Sequence, residues 1–430
     1  MKIPKELFTK SSFGRYKDRV LEKEIKMIKT VTGGVCAAKG FKANGIHCGI
    51  RAGKTKRDLA LIVSEVPAAT AAVYTTNLVK GAPITVTKQN IANGYAQAAV
   101  CNSGNANTCN ADGVEIATKM CEITAAELGI NATDVVVAST GVIGQRLDVT
   151  PVAKGMPELV KGLGDNSGLA AEAIMTTDTV KKEIALSFEI DGVECKIGGI
   201  AKGSGMIHPN MATMLVFITT DCCIAPEMLS KALKSDIANT FNMVSVDGDT
   251  STNDMVTVMA NGMAGNKEIT AEGEAFDCFM KALNSVTVYL CRMIAGDGEG
   301  ATKLLECKVD GAKDEATAKT VAKSVICSSL TKAAMFGADA NWGRVLCAIG
   351  YSGADVDVNK VDVKFRSAAG EVAVCRDGAG IDFSEEIAKK VLTEKEIEIL
   401  ISLNTGNGNA VAWGCDLTYD YVKINGDYRT

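Results

Sequence analysis

The pair Ala212-Thr213 stands at the end of a stretch rich in Gly and Pro, directly before the apolar run 214–218. A threonine hydroxyl on a strained turn can attack the carbonyl of the preceding residue, and the resulting ester is hydrolysed more easily than an amide. The new chain then begins with a nucleophile whose own α-amino group, with a pKa of about 7.7 to 8.0, can act as the base. The junction is therefore a candidate for self-cleavage followed by acyl transfer, although composition alone does not single out Thr213.

Two loops of small residues follow apolar runs and are candidates for stabilising negative charge. They are the segment 102–107, with the sequence NSGNAN, and the tripeptide Ser139-Thr140-Gly141. Backbone N–H groups in such loops can donate to the oxyanion that develops during acyl transfer. A plain turn is the commoner use of this composition, so both interpretations stay open for each loop.

A carboxylate lies among glycines in the segment 296–300. Glu299 could hold an ammonium group there, because glycines let the backbone approach a ligand closely. This segment lacks the spacing of a dinucleotide-binding loop, and Gly53-Lys54-Thr55 lacks the glycine that a phosphate-binding loop needs at the position of Cys48. The sequence therefore favours a cationic ligand near Glu299 and predicts no nucleotide site.

The histidines and cysteines give little support for a metal or a disulfide framework. Only His47 and His208 occur, and the 15 cysteines are scattered without a Cys-x-x-Cys pair. For His208 we favour loop packing over catalysis, and for the adjacent Cys222 and Cys223 a buried structural role. We expect no metal or redox cofactor and a reducing cytoplasm.

The composition is that of an ordinary globular protein. The chain has 430 residues, 47% of them hydrophobic and 23% charged, with a formal net charge of −5. Such a balance argues against a disordered chain and against a nucleic-acid binder, and the apolar runs are too short to cross a membrane. The length predicts two or three domains.

The hydrophobic pattern predicts a mixed α/β protein with a charged extension over residues 1–30. Short strands are predicted at 59–63, 71–74, 135–138 and 214–218, and a hairpin turns at Asp191-Gly192. Helical spacing is found around 116–127, with Gly129 as a C-terminal cap, from Pro226 to Phe241, and around 276–288. The stretch 198–213 is predicted to be irregular.

Several motifs together resemble the ornithine acetyltransferase family, also called the glutamate N-acetyltransferase or ArgJ family of arginine biosynthesis. The run from Lys202 to Leu215, KGSGMIHPNMATML, resembles the self-cleavage signature of that family. The similarity continues through the segments 102–107, 139–144, 174–179, 296–303, 413–421 and 425–430. It covers almost all of the chain after the N-terminal extension.

The resemblance implies a reaction and a set of site residues. Acetyl would pass from N-acetylornithine to glutamate by a ping-pong mechanism, after cleavage between Ala212 and Thr213 makes Thr213 the acetyl acceptor. Thr140 and Gly141 would stabilise the oxyanion. The residues that would hold the amino-acid substrate are Thr177, Lys202, Thr213, Glu299, Asn425 and Thr430, and Thr176 competes with Thr177 for its role.

The resemblance also implies the architecture. It predicts an αββα sandwich with a smaller second α/β domain, an α chain over 1–212 and a β chain over 213–430. Within the β chain, 302–403 would form the smaller domain and 404–430 would return to the active site. Two α and two β chains would assemble into a heterotetramer.

Two other functions remain open at this stage. A self-processing amidase or aminopeptidase would use the same threonine with water as the acceptor. An unprocessed ligand-binding protein would keep the fold without the chemistry. Acetyl-CoA is also compatible with the sequence as a second donor, which would make the enzyme bifunctional.

Overall fold

The computed structural model describes residues 28–51, 53–208 and 214–426. Most of the predicted N-terminal extension lies outside these ranges, but Lys29–Val31 form an edge strand. The helices of the described residues are α1 (Ala82–Asn90), α2 (Gly113–Leu128), α3 (Thr150–Lys161), α4 (Ser167–Ile174), α5 (Pro226–Ile237), α6 (Glu274–Gly296), α7 (Glu315–Cys327), α8 (Ser329–Gly337), α9 (Trp342–Gly350), α10 (Glu385–Thr393) and α11 (Tyr419–Gly426). None of these helices is long and apolar enough to span a bilayer.

The strands form two separate sheets. The first joins β1 (Lys29–Val31), β2 (Phe41–Ile46), β3 (Leu59–Tyr74), β4 (Tyr95–Asn102), β5 (Val135–Ser139), β6 (Lys182–Ile190), β7 (Val193–Lys202), β8 (Leu215–Thr220) and β10 (Met255–Ala260). The second joins β9 (Val244–Ser245), β11 (Leu304–Ala312), β12 (Asp362–Ser367), β13 (Gly370–Arg376), β14 (Ala379–Gly380), β15 (Glu396–Ser402) and β16 (Gly408–Cys415). The first sheet runs in the order β1-β6-β7-β8-β10-β3-β4-β5, with β2 beside β3, and the second in the order β14-β13-β12-β15-β11-β16-β9.

The long strand β3 connects two layers of the first sheet. Its pairing with β4 shifts register between Val63 and Ala68, and its last residues pair with β10 instead. The exposed residues of this irregularity include Pro67, which has no N–H to donate to a neighbouring strand. The prediction of two short strands at 59–63 and 71–74 was therefore wrong, because the proline marks a bend inside one strand.

The two layers face each other across a shared core, and helices cover their outer sides. Alternate residues of β4 and β5, such as Cys101 and Val136, cluster with Phe217 of β8 and Met255 of β10. The opposite faces of β4 and β5 pack under α2 and α3, while those of β8 and β10 pack under α5 and α6. This arrangement confirms the predicted αββα sandwich.

The second sheet and its helices form the smaller α/β unit. Helix α7 packs on β11 and β16, and α10 packs on β12 and β13. Helix α6 contacts both sheets and joins the two units. Two strands of the second sheet, β9 and β16, lie outside the range 302–403, whose boundaries remain a prediction.

The local predictions that rest on turn and cap chemistry are confirmed. Asp191 and Gly192 have φ values of 50° and 80°, as a two-residue hairpin turn requires, and Gly129 caps α2 with a φ of 70°. The predicted irregular stretch begins too early, because β7 continues to Lys202. A Cβ on Gly198 would lie 1.9 Å from the Gly34 carbonyl oxygen, so this glycine permits close backbone packing inside a strand.

Candidate active site

Thr140 and Gly141 follow β5 and pack against the loop that follows β4. The Thr140 N–H donates to the Asn102 carbonyl at 2.9 Å, and the Asn102 side-chain oxygen accepts from the N–H groups of Gly104 and Asn105 at 3.1 and 3.0 Å. Gly141 has a φ of 124°, and a Cβ there would lie 2.8 Å from the Gly104 carbonyl carbon. Both the backbone angle and the space require glycine, so the two loops form one packed unit.

Asn253 joins this unit to the second layer of the sandwich. Its side-chain amide donates to the carbonyls of Ala106 and Ser139 at 2.6 and 3.0 Å, and its side-chain oxygen accepts from the Thr108 hydroxyl at 2.5 Å. The next residue, Asp254, is buried, and burial raises the pKa of its carboxyl group well above the usual value while the charge of Lys202 opposes this. Asn253 therefore links the Thr140 turn to the neighbourhood of Lys202.

Lys202 places a buried positive charge at the end of β7. Its exposed fraction is 8%, and its charge acts on the buried carboxyl groups of Asp178 and Asp254, although no ion pair within 4.0 Å joins its Nζ to a carboxylate in the described part of the chain. Its charge also acts on Cys101 at the end of β4: burial raises the pKa of that thiol to about 12 against the opposing charges of Lys202 and Arg51. This ammonium group is thus suited to a ligand carboxylate.

Thr177, Glu299 and Asn425 meet around Ser204, two residues beyond Lys202. The hydroxyl groups of Thr177 and Ser204 are 2.7 Å apart, and the Glu299 N–H donates to the Ser204 carbonyl at 2.9 Å. The Asn425 side-chain amide donates to Glu299 Oε2 at 2.8 Å. A Cβ on Gly205 would lie 2.4 Å from Glu299 Cδ, so the Glu299 carboxylate can occupy this position only because residue 205 has no side chain.

The structure thus links three residues predicted to hold substrate, Thr177, Glu299 and Asn425, around Ser204, and Lys202 lies two residues before Ser204 in the chain. Of the two candidate threonines, Thr177 contacts Ser204, whereas the Thr176 N–H donates to Asp178 at 3.0 Å. Three further predicted residues, Ala212, Thr213 and Thr430, lie outside the described residues.

Both flanks of the predicted cleavage segment are bound by the stretch 246–255, which is the loop before β10 together with the first residue of that strand. Upstream, Asp247 accepts from the N–H groups of Met206 and Ile207 at 2.6 and 2.8 Å. Downstream, the Met255 N–H donates to the Met214 carbonyl at 2.9 Å. The segments that precede and follow 209–213 are therefore both hydrogen-bonded to the stretch 246–255.

His208 packs against the second unit. Its Nδ1 lies 3.1 Å from the Ser245 hydroxyl and 3.5 Å from the Cys327 sulfur. Burial, with the nearby charge of Lys323, lowers its pKa to about 4, although Asp247 opposes the shift. A neutral histidine in this setting agrees with the predicted packing role.

Sequence reasoning missed the residues that support this site: Asp178, Lys182, Asn253 and Asp297. Asp178 follows Thr177 directly, and Asp297 lies in the same glycine-rich segment as Glu299, so their proximity to predicted site residues was available as a signal. Lys182 lies only four residues after Asp178, but its link to Asp297, 115 residues away in the chain, carried no such signal.

The fold and the site define a mixed α/β protein in which a buried cation, Lys202, and a buried carboxylate, Glu299, lie on segments joined through Ser204. The chain belongs to the ArgJ family, whose model matches residues 42–430. This confirms the family resemblance of the sequence motifs.

The curated relatives are similar over nearly their whole length. The arginine biosynthesis bifunctional protein ArgJ of Caldanaerobacter subterraneus subsp. tengcongensis is 52% identical over 394 residues, covering 91% of this chain and 97% of the relative. The ArgJ protein of Bacillus subtilis is 48% identical over 405 residues, with 94% and 98% coverage. A crystal structure of ArgJ from Bacillus halodurans is 47% identical, with a TM-score of 0.48, and covers 50% of this chain and 100% of its own.

Proposed function

We propose that this chain is a glutamate N-acetyltransferase of arginine biosynthesis, which moves acetyl from N-acetylornithine to glutamate. Membership of the ArgJ family and the names of its relatives support this function. The observation that carries it is that a buried cation, Lys202, and a buried carboxylate, Glu299, both 8% exposed, lie on segments joined by the hydrogen bond from the Glu299 N–H to the Ser204 carbonyl. We infer that these two groups bind one ligand, the cation its carboxylate and the anion its ammonium group, as an amino-acid ligand requires.

The proposed chemistry begins with the Thr213 hydroxyl, which attacks the acetyl carbonyl of N-acetylornithine. The free α-amino group of Thr213 takes the hydroxyl proton and passes it to the departing ornithine nitrogen, leaving an acetyl ester on Thr213. The Thr140 hydroxyl and the Gly141 N–H donate to the oxyanion in this step and in the next, because the Thr140 N–H is already bound to the Asn102 carbonyl. The amino group of glutamate then attacks the ester, which returns Thr213 to its free form without a metal or redox cofactor.

The substrate is held at its charged ends in this proposal. Lys202 binds a carboxylate, and Glu299 binds a positively charged amino group, with Asn425 donating to Glu299 at 2.8 Å. Thr177 is placed by its contact with Ser204, and Thr430 completes the set as a further anchor. Ornithine and glutamate would occupy this pocket in turn.

The nucleophile requires self-cleavage between Ala212 and Thr213. We propose that the α chain 1–212 and the β chain 213–430 stay associated, two of each, in the cytoplasm. N-terminal sequencing of the purified protein should find a new chain start at Thr213. An intact chain that still transfers acetyl would contradict the mechanism.

Substitution of the nucleophile provides the sharper experiment. Thr213→Ala should abolish both cleavage and acetyl transfer, and Thr213→Ser should keep part of each because the hydroxyl remains. Full activity in the alanine variant would refute the role of Thr213.

Two assays identify the acetyl acceptor, glutamate or water, and test whether acetyl-CoA is a second donor. Incubation with N-acetylornithine should release about one ornithine per site without glutamate and continuous turnover only with it, whereas continuous release without glutamate would indicate an amidase. The relatives are named bifunctional, which supports a second activity with acetyl-CoA as donor. Formation of N-acetylglutamate from acetyl-CoA and glutamate tests that activity directly.

A further inference from the structure

A fully buried lysine lies between two carboxylates next to the proposed pocket. Lys182, at the start of β6, is 0% exposed, and its Nζ lies 2.6 Å from Asp178 Oδ1 and 2.5 Å from Asp297 Oδ2. Removing the charges of Lys182 and its two partners from water is costly, so the presence of this buried ion pair does not by itself show that it stabilises the fold. The other hydrogen bonds of Asp178 and Asp297 indicate a second role for Lys182.

Asp178 holds two segments of the pocket. Its Oδ1 accepts from the Gly203 N–H at 2.7 Å, directly after Lys202, and its Oδ2 accepts from the Thr176 N–H at 3.0 Å, directly before Thr177. The same carboxylate therefore fixes the end of β7 relative to the loop that carries Thr177.

Asp297 holds a third segment against that loop. It accepts from the Thr179 N–H at 3.1 Å and from the Thr179 hydroxyl, and it lies two residues before Glu299. The segments that carry Thr177, Lys202 and Glu299 therefore meet at one ammonium group, that of Lys182.

We propose that Lys182 is a positioning residue for amino-acid recognition, fixing the separation between the cation Lys202 and the anion Glu299. The proposal rests on the function proposed above and assigns to it a residue that touches no substrate. The carboxylate and the ammonium group of one amino acid are joined covalently, so they can be bound at the same time only if their partners are held at a matching distance. A cation shared between Asp178 and Asp297 supplies that constraint across three segments.

The test is ornithine binding by the full-length protein, measured by isothermal titration calorimetry. Lys182→Met and Asp297→Asn should raise the Kd for ornithine by roughly tenfold or more, the equivalent of about one lost hydrogen bond to a charged group. The matched control is Lys303→Met, which removes a buried lysine whose Nζ donates to carbonyls of the second unit. The control should lose stability and keep the Kd of the original protein within about twofold, as expected for a site it does not touch.

The outcomes separate positioning from a purely structural role. Asp297→Asn keeps the side-chain shape, so it carries the test if Lys182→Met does not fold. An unchanged Kd in folded Asp297→Asn, or an equal loss of affinity in Lys303→Met, would overturn the proposal, and so would an original protein that does not bind ornithine. If the original protein binds ornithine without transferring acetyl, the proposed function fails while the affinities of the variants still decide the role of Lys182.

Discussion

Buried lysines occur in both units of the molecule, but they have different partners. Lys182 in the sandwich binds two carboxylates, those of Asp178 and Asp297. In the second unit, Lys303 Nζ donates to the carbonyls of Met335 at 2.6 Å and Leu392 at 2.8 Å. Met335 is in the last turn of α8 and Leu392 in the last turn of α10, where the helix dipole favours a cation; the Met335 carbonyl also accepts from the Ala338 N–H at 3.1 Å.

The difference shows two uses of a buried ammonium group. Around Lys303 the partners are neutral, so the lysine closes helix ends, and burial lowers its pKa while Asp416 opposes the shift. Around Lys182 the charged partners tie together segments that are distant in sequence. Burial would raise the pKa of Asp178, but Lys182, Lys202 and the Gly203 N–H lower it to about 2.

Removing the central cation should have the largest effect on stability. Lys182→Met leaves two buried carboxylates without their shared partner, and loss of one member of a buried ionic group costs about 3 to 5 kcal/mol. Urea unfolding followed by circular dichroism measures this as a lower midpoint. A loss below about 1 kcal/mol would show that the network is solvated or neutral in the folded protein.

Lys303→Met should have a smaller effect. The variant leaves the Leu392 carbonyl without its lysine donor, whereas the Met335 carbonyl keeps the Ala338 N–H, and an unsatisfied buried acceptor costs about 1 to 3 kcal/mol. The same unfolding experiment ranks the two variants. If Lys303→Met proved as costly as Lys182→Met, charged and neutral partners would be energetically equivalent here.

The carboxylate network should also make stability depend on acid. The pKa of Asp178 is about 2 in the folded protein and 3.8 in its ordinary state, so the unfolded chain takes up the proton first as the pH falls. Stability from this group is therefore complete above about pH 4 and is lost towards pH 2, by about 2 kcal/mol at most.

Asp178→Asn should flatten the stability profile between pH 4 and pH 2. Asp382→Asn, at an exposed aspartate of the second unit, is the matched control and should keep the original slope. Unfolding by urea at several pH values provides the comparison. Parallel slopes in all three proteins would mean that Asp178 contributes no acid-dependent stability.

The parts of the fold that were predicted correctly depend on local chemistry. The Asp191-Gly192 turn and the Gly129 cap need particular backbone angles, and few residues adopt them. The interior of a strand is less predictable when its proline marks a bend, as Pro67 does in β3. The course of β3 depends on which neighbouring strand pairs with the residues before Pro67 and which with those after it, and the periodicity of the sequence does not contain this information.

In the candidate site, too, the residues that local sequence marked were predicted and those that depend on distant contacts were not. Glu299 was noticed because a charge among glycines is unusual, and the Thr140 loop because small residues follow an apolar run. Lys182 resembles any polar residue at the start of a strand, and its importance comes from Asp297, which is 115 residues away. Contacts at such separations are set by the packing of the layers, so a single sequence could not reveal them.

A glycine in each unit gives the smallest expected change in stability and the clearest separation from binding. A Cβ on Gly205 would lie 2.4 Å from Glu299 Cδ, whereas a Cβ on Gly350, at the end of α9, meets nothing within 4 Å. The end of the Glu299 side chain can move, so Gly205→Ala should change the unfolding free energy by less than about 1 kcal/mol, as should Gly350→Ala. Only Gly205→Ala displaces the carboxylate, so only that variant should bind ornithine more weakly in calorimetry. Equal affinities in the two variants would show that the position of Glu299 does not matter to the ligand.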